Sequence, residues 1–449
     1  MKLTVIFHRF GPYHLARLAA AARECDLTAL ELAEETAEYA WEKIAGAPGF
    51  KRVTLFPRGD SRAAAFVEVR SRVRQALNEA QPDAVAIPGW SDRAAFVALA
   101  WCAERGVPAI VMSESTARDE PRVWWKEFVK RRLVRLYSTA LVGGRWHADY
   151  LEQLGMSRDR IFTGYDVVDN EHFQKAESGS QRSEVSPPSP DSHLASPNCY
   201  LGFADRRTVS LSTVAPSLPP YFLASARFIE KKNLPLLLRA YARYREMAAG
   251  GGQSASASAV GSPESSASTD APPHRPPPTA PWPLVLLGDG PLRSDLCHLI
   301  SDLCLQDSVV LPGFIQYDAL PAWYARAGAF VHASTTEQWG LVVNEALAAG
   351  LPVIVSNRCG CVPELVREGV NGFTFDPNNV GELAALLLKI SALNFPLAAL
   401  GTASREMATH HEPVRFGEGL RAAAELAVKL PRRVARPWDR ALLNRLSQR

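Results

Sequence analysis

The chain has 449 residues, 47% of them apolar, with 50 Lys and Arg against 47 Asp and Glu and a formal net charge of +3. That length suits two ordinary domains with connecting segments, and so small a net charge argues against a dedicated nucleic-acid binder. No run approaches the roughly 18 apolar residues of a membrane-spanning helix, and the opening Met1–His8 is too short for the apolar region of a signal peptide.

Apolar strands alternate with helical stretches through most of the length, the pattern of an α/β protein with parallel sheets. Leu3–His8 reads as a strand, His14–Glu24 as a helix, Asp26–Leu32 as a strand and Ser61–Glu79 as a helix. Strands follow at Ala84–Pro88, Ala109–Met112 and Ala140–Gly143, with helices at Asp92–Arg105, Arg122–Leu136 and Trp146–Leu154, and Ile161–Gly164 closes a Rossmann-like unit at about residue 172. Residues 173–219 then read as a linker, largely low-complexity, and its Ser-, Pro- and Glu-rich part from Lys175 to Pro197 is expected to be flexible. A second α/β unit over 220–410 opens at Tyr221 and continues with a helix at Leu234–Met247. A Gly-, Ser-, Ala- and Pro-rich insertion at about 248–281 is expected to be disordered. Beyond it come strands at Leu284–Leu287, Val309–Leu311, Ala329–Val331, Val353–Val355 and Gly372–Phe375, and helices at Leu292–Leu305, Leu320–Ala327 and Glu382–Leu393. The last element, Phe416–Lys429, lies in a C-terminal segment, 411–449. Seven scattered cysteines without a repeated C-x-x-C pair predict a reducing, cytoplasmic setting and no disulfide framework.

The most informative stretch runs from Ser334 to Ser356. It reads as loop, helix, tight turn and strand, with Glu337 just before the helix and Glu345 about a turn and a half inside it. Free backbone N–H groups at a helix start suit a phosphate, and carboxylates accept hydrogen bonds from pairs of hydroxyls. Sugar, diphosphate and ribose in a row would satisfy all three positions. Upstream, Arg227 and Lys232 lie in a basic loop between strand and helix, at the carboxyl edge where open α/β sheets bind ligands. Arg offers a planar fork for phosphate oxygens and Lys a point charge.

These residues resemble the E-x7-E signature and R-x4-K phosphate clamp of family 4 retaining glycosyltransferases. The resemblance is good over the second unit and loose over the first. It implies a GT-B fold, two Rossmann-like domains facing a central cleft, with the acceptor on the first and the nucleotide sugar on the second. The C-terminal helix would then cross back to the first domain. It implies that Arg227 and Lys232 hold the diphosphate and stabilise the leaving group, and that Glu337 contacts the donor sugar. Glu345 would hold the ribose, and the backbone from Gly340 and Leu341 would cap the phosphates. Gly288-Asp289-Gly290-Pro291 resembles the family's Gly-Asp-Gly-Pro turn, where Gly288 serves either donor contact or the turn itself. Pro312-Gly313-Phe314-Ile315 resembles the loop that receives the base, with Gly313 and Ile315 as donor contacts. Two departures stand out: Asn233 where the family usually has Gly after the Lys, and Cys361 in the family's Gly-Gly-x-Pro-Glu turn.

In the first unit the loop Phe10-Gly11-Pro12-Tyr13-His14 borders the expected cleft, making Gly11 and His14 candidates there. Glu114, after the strand Ala109–Met112, is read either as an acceptor contact or as a capping carboxylate. Asp166-Val-Val-Asp169 matches the turn that ends the family's first domain and is not a metal motif. No metal or other cofactor is expected, because Arg, Lys and the helix dipole serve the diphosphate. Cys359-Gly-Cys361 reads as ordinary buried or loop thiols. The basic helix 122–136 with Trp124 and Trp125 is read either as a solvated face or as a peripheral contact with the inner face of an anionic membrane. The expected partners are a nucleotide sugar and a glycan or lipid-linked acceptor. The alternatives are a sugar-nucleotide epimerase of the same architecture, or a protein that binds nucleotide sugar without turnover.

Overall fold

A computed structural model describes residues 1–34, 49–57, 64–175, 220–250 and 280–448. The expected flexible linker and nearly all of the expected disordered insertion lie outside the described residues. The helix before the insertion, Leu234–Gly250, runs three residues past the predicted end.

Two parallel sheets form. The first has seven strands: β1 (Lys2–Phe7), β2 (Asp26–Ala33), β3 (Lys51–Phe56), β4 (Ala84–Pro88), β5 (Ala109–Ser113), β6 (Thr139–Val142) and β7 (Ile161–Thr163). Their spatial order is β3-β2-β1-β4-β5-β6-β7. The second has β8 (Phe222–Ser225), β9 (Leu284–Leu287), β10 (Val309–Gly313), β11 (Ala329–His332), β12 (Val353–Ser356) and β13 (Gly372–Phe375), in the order β10-β9-β8-β11-β12-β13. Every named pairing is parallel. Strands covered by helices on both faces read as unbroken apolar runs, as β9 does with Leu-Val-Leu-Leu, all buried.

In each sheet the order reverses at one place, between β1 and β4 and between β8 and β11. The loops leaving the carboxyl ends of those strands splay apart and leave a crevice there. The loops after β1, β8 and β11 carry Gly11, Arg227 with Lys232, and Glu337, so the topology brings the candidate residues together. The two sheets with their helices form the two Rossmann-like domains of the GT-B fold.

Among the described residues the chain crosses between domains twice. Helix Asn170–Gln174 packs on the second domain: Phe173 is fully buried in its core, and Asn170 Nδ2 donates to Ala408 O at 2.7 Å. Helix Pro413–Lys429 returns to the first, burying Phe416, Leu420, Ala423, Ala424 and Ala427 with Leu3, Val5 and Leu18. Gly417 lets this helix approach Ala20, whose carbonyl oxygen would sit 3.0 Å from an added Cβ.

Strand β3 is absent from the sequence reading. It is an edge strand with only Leu55 and Phe56 buried, so its apolar pattern is weak. Helices Leu397–Thr409 and Pro437–Ser447 were also not foreseen; the second packs Leu443 into the first domain's core. Cys297 is disulfide-bonded, a bond that the scatter of cysteines did not indicate. Cys359 and Cys361 are free and fully buried, as expected of packing thiols.

Candidate active site

The basic loop after β8 is held by two glycines of the turn after β9. Gly288 has φ +126°, and a Cβ there would lie 1.9 Å from Ala226 O. Gly290 packs on Phe228, where a Cβ would lie 2.7 Å from the carbonyl oxygen, and Phe228 donates its N–H to Asp289 O at 2.8 Å. Gly288 therefore supports the clamp loop directly, which accounts for its sequence signal. The loop ends in a short 3-10 turn, Glu230–Lys232, closed by Asn233 at φ +56°. Asn is one of the few residues besides Gly that enter this left-handed region readily, so the departure from Gly keeps the backbone geometry. Asn233 Nδ2 further donates to Pro377 O at 2.8 Å.

Lys232 Nζ donates to Glu337 Oε2, and Lys231 Nζ lies 3.4 Å from Oε1. Both lysines of the loop thus face the first glutamate. Ser334 Oγ is 3.4 Å from Glu337 Oε2, and His332 Nε2 is 3.7 Å from the same oxygen. Burial works to raise the Glu337 pKa, but His332 and the two lysines outweigh it and hold the carboxyl well below its ordinary range. His332 is itself buried, and burial, aided by the lysines, keeps its pKa below that of a free imidazole despite Glu337. The site therefore holds an ionised glutamate, two ammonium groups and a neutral histidine. Arg227 is exposed at the start of the same loop.

Gly340, at φ +109°, turns the chain into helix Leu341–Ala348. Its α-carbon faces Glu337 and His332; a Cβ would lie 3.6 Å from Glu337 Cγ and from His332 Nε2. The N-terminus of this helix thus opens beside the clamp. The turn Cys359-Gly360-Cys361 braces the loop from behind. Gly360 N donates to Glu337 O at 2.9 Å, and a Cβ on Gly360 would fall 1.7 Å from Gln338 O. Cys361 has an ordinary helical backbone, φ −77°, so only Gly360 of the pair needs to be glycine.

Glu345 is fully buried, and the Tyr13 and Tyr324 hydroxyls donate to its two oxygens at 2.5 and 2.6 Å. Burial raises its pKa to about 7, against those two hydrogen bonds, which favour the carboxylate. Tyr13 comes from the other domain. The loop that carries it is fixed by Glu31 at the end of β2, which accepts from Phe10 N at 2.7 Å and from Arg52 Nη2 at 2.8 Å. Gly11 N donates to His14 Nδ1 at 3.1 Å, and burial lowers the His14 pKa to about 3. His14 is thus a neutral cap of its helix. His147 repeats the device: it accepts from Gly144 N at 3.2 Å, and its Nε2 reaches Gln338 O across the domain boundary at 2.9 Å.

Glu114 lies at the mouth of β5, where Arg17, Asp166, Glu337 and Lys231 all act on its charge. It therefore faces the first glutamate across the cleft. Gly313, at φ +93° with open space beside it, and the half-buried Ile315 line the edge after β10. The sequence reading gave no site role to His332, Tyr13, Asp166 or Arg17, although Tyr13 lay in the cleft loop and Asp166 in the turn that ends the first unit. His332 carried a usable signal, a histidine ending an apolar strand just before Glu337. Arg17 sits inside an amphipathic helix pattern and carried none. Among the described residues no group of three or more His, Cys, Asp or Glu is placed to hold a metal ion.

Known proteins share this design. Residues 13–163 match the family described as Glycosyl transferase 4-like domain, and residues 275–407 match Glycosyl transferases group 1. A sulfoquinovosyl transferase of Arabidopsis thaliana is 34% identical over 126 residues, 27% of this chain and 24% of the relative. A GDP-mannose-dependent phosphatidylinositol monomannoside mannosyltransferase of Mycobacterium tuberculosis is 34% identical over 133 residues, 28% of this chain and 34% of the relative. The matches thus span about a quarter to a third of these relatives' own length. Among solved structures, Anabaena HepE in complex with UDP and glucose aligns over 94% of this chain and 98% of its own, with TM-score 0.61 and 17% identity. Sucrose-phosphate synthase of Thermosynechococcus elongatus aligns over 94% and 96%, with TM-score 0.61 and 16% identity. Two glycosyl transferase domain models thus match in chain order, the 4-like domain over 13–163 and group 1 over 275–407, and the fold is the GT-B arrangement.

Proposed function

We propose that the protein is a retaining glycosyltransferase that moves a sugar from a nucleotide-diphosphate sugar to an acceptor hydroxyl. The observation that carries this reading is the convergence of Lys231, Lys232 and His332 on Glu337, at the start of a helix and at a sheet switch point. Arg227, Lys232 and the helix N-terminus neutralise the diphosphate as it departs. Lys232 leaves Glu337 for the phosphates, and Glu337 is released to the donor sugar's hydroxyls. Glu345 takes the ribose hydroxyls. The departing phosphate accepts the acceptor's proton on the same face of the sugar, so the anomeric configuration is retained and no separate base is required. No metal takes part, because the cations are side chains.

The test is turnover of UDP-, GDP- and ADP-sugars by the purified chain, with the product anomer read by NMR. Transfer with retention, undiminished by EDTA, is expected. Binding without turnover would favour a non-catalytic protein, and an epimerised nucleotide sugar would favour an epimerase. Activity lost in EDTA and restored only by a divalent ion would refute the metal-free clamp.

Within the same reading the acceptor is lipid-linked and met at the cytoplasmic face of an anionic membrane. Helix Trp124–Val134 and helix Pro437–Ser447 are linked by an ion pair, Arg132 Nη1 to Asp439 Oδ1 at 3.5 Å. They present Trp124 at 82% exposure, Trp438 at 80% and Phe128 at 56% among lysines and arginines. Exposed aromatics beside basic residues suit an anionic interface. No described helix is long and apolar enough to cross a membrane. Co-sedimentation with phosphatidylglycerol vesicles should fall at least fivefold in a Trp124→Ala, Trp438→Ala double variant, and should weaken in high salt. Equal sedimentation of both proteins would remove this face from the reading.

A further inference from the structure

Two glycines in succession, Gly143 and Gly144, follow β6 and lead into helix Arg145–Gln153. Neither has a positive φ, and Gly144, at φ −166°, is extended in a way any residue can be. The backbone of Gly144 therefore does not need glycine; the second domain does. A Cβ there would lie 2.5 Å from Glu364 Cδ, and the three atoms nearest to it all belong to that carboxyl group. A Cβ on Gly143 would meet Asp166 of its own domain and, at 2.7 Å, the Trp339 ring of the other. The loop after β6 is thus shaped to admit side chains from across the domain boundary.

Glu364 Oε1 accepts from Arg145 N, the first N–H of that helix, at 2.7 Å. Oε2 faces the same helix start, closed off from solvent and without a hydrogen-bond partner. Unpaired N–H groups give a helix start a partial positive charge that favours a carboxylate. His147, two residues on, makes the reverse contact. Gly144 N donates to its Nδ1, so its Nε2 carries the proton and donates to Gln338 O at 2.9 Å. The two contacts close a ring around the Glu337 loop. Glu364 sits on the short helix Val362–Leu365, directly after the turn Cys359-Gly360-Cys361, and Gly360 N of that turn donates to Glu337 O at 2.9 Å. The first domain therefore grips the loop at Gln338 and, through Glu364, grips the turn that backs it. A third contact, Thr336 Oγ1 to Asp119 O at 3.4 Å, falls on the other side of Glu337.

We propose that Glu364, seated on the start of the first-domain helix, is a positioning residue for Glu337. Its docked carboxylate fixes the turn behind the loop, His147 fixes the loop itself, and Glu337 keeps its place at the donor sugar only while both contacts stand. Gly144 is what admits the carboxylate, since any side chain there would exclude it. The groups assigned to the diphosphate and the ribose, Arg227, Lys232 and Glu345, are not part of this ring. Breaking it should therefore slow the reaction and leave donor binding nearly untouched. The assignment rests on the glycosyl-transfer reading above.

The experiment uses the full chain, with UDP-glucose, GDP-mannose and ADP-glucose as donors and methyl α-glucoside and methyl α-mannoside as acceptors. With the donor that reacts best, Glu364→Ala and Gly144→Ala should each lower kcat at least tenfold while the donor KM moves less than threefold. The two substitutions break one contact, so the double variant should fall no more than twofold below either single. Glu364→Gln should return kcat to within fivefold of wild type, because its amide oxygen still accepts from Arg145 N. Hydrogen exchange should quicken at least tenfold in the 336–340 segment of Glu364→Ala and stay unchanged in β8 and β11. Should Gly144→Ala not fold, Glu364→Ala and Glu364→Gln decide the matter. An unchanged kcat, a loss confined to donor KM, losses that multiply in the double variant, or a 336–340 segment that exchanges at the wild-type rate would each overturn the assignment and leave the transfer reading standing. A wild type that releases sugar from no donor would instead overturn the transfer reading and the positioning role with it.

Discussion

Lys232→Ala is expected to lower kcat/KM by about two to three orders of magnitude in a protein that still folds, the usual loss when one preorganised charge for a developing anion is removed. Most of the loss should appear in kcat, because negative charge on the departing diphosphate is greatest in the transition state. Folding should survive because Glu337 keeps Lys231 at 3.4 Å, Ser334 at 3.4 Å and His332 at 3.7 Å after Lys232 is gone. Removing one partner of a buried pair costs about 3–5 kcal/mol when the other charge is stranded; here it is not stranded, so the cost should be smaller. Arg227→Ala separates the two effects further. Arg227 is exposed at its loop, so its loss should leave the melting temperature nearly unchanged while transfer still falls. Steady-state kinetics and thermal melts on both variants are the measurements. Transfer within threefold of wild type in Lys232→Ala would remove the clamp from the mechanism.

How much of this site the sequence discloses depends on the kind of interaction involved. Glu337, Lys232, Gly340 and Glu345 are close in sequence to strand ends and turns, so local pattern finds them. The second-domain strands β9, β11 and β12 are equally legible because every residue in them is buried and they read as apolar runs. Strand β3 was missed because an edge strand with two buried residues has little pattern to show. Asn233 and Cys361 looked like defects in a motif. The backbone explains them: Asn233 occupies the left-handed position that Gly would, and Cys361 never needed to be glycine. Contacts across the cleft were not legible at all. Tyr13 and Glu345 are 332 residues apart, and no local rule pairs them. Arg17 and Asp166 each serve a plausible local role, in a helix and in a turn, and only the fold brings them together.

Tyr13→Phe is expected to tighten donor binding, the opposite of what losing a cleft residue usually does. In the free protein both oxygens of Glu345 are taken, one by Tyr324 of the same domain and one by Tyr13 of the other. Because Glu345 is only 1% exposed, a ribose hydroxyl reaches this carboxylate where a tyrosine hydroxyl now sits, and Tyr13, from the other domain, is the one that domain opening would remove. Taking away that competitor should lower the donor Kd roughly three- to tenfold, the worth of one net hydrogen bond. Glu345→Gln should act the other way. It removes the ionised acceptor and should raise donor KM at least tenfold with a smaller change in kcat. Glu337→Gln, beside the reacting sugar, should lower kcat more than it raises KM. The pH dependence supplies an independent check. The free Glu345 titrates at about 7, raised by burial, and it is the ionised form that accepts from ribose. Donor affinity should therefore be flat above about pH 7 and fall as pH drops below it, approaching tenfold per unit. An intact nucleotide-diphosphate sugar must be the probe, because free UDP gains a proton on its terminal phosphate in the same range. In Glu345→Gln the slope should vanish while the affinity stays low. Donor binding that weakens in Tyr13→Phe, or a pH slope that persists in Glu345→Gln, would show that the ribose does not lie against this carboxylate.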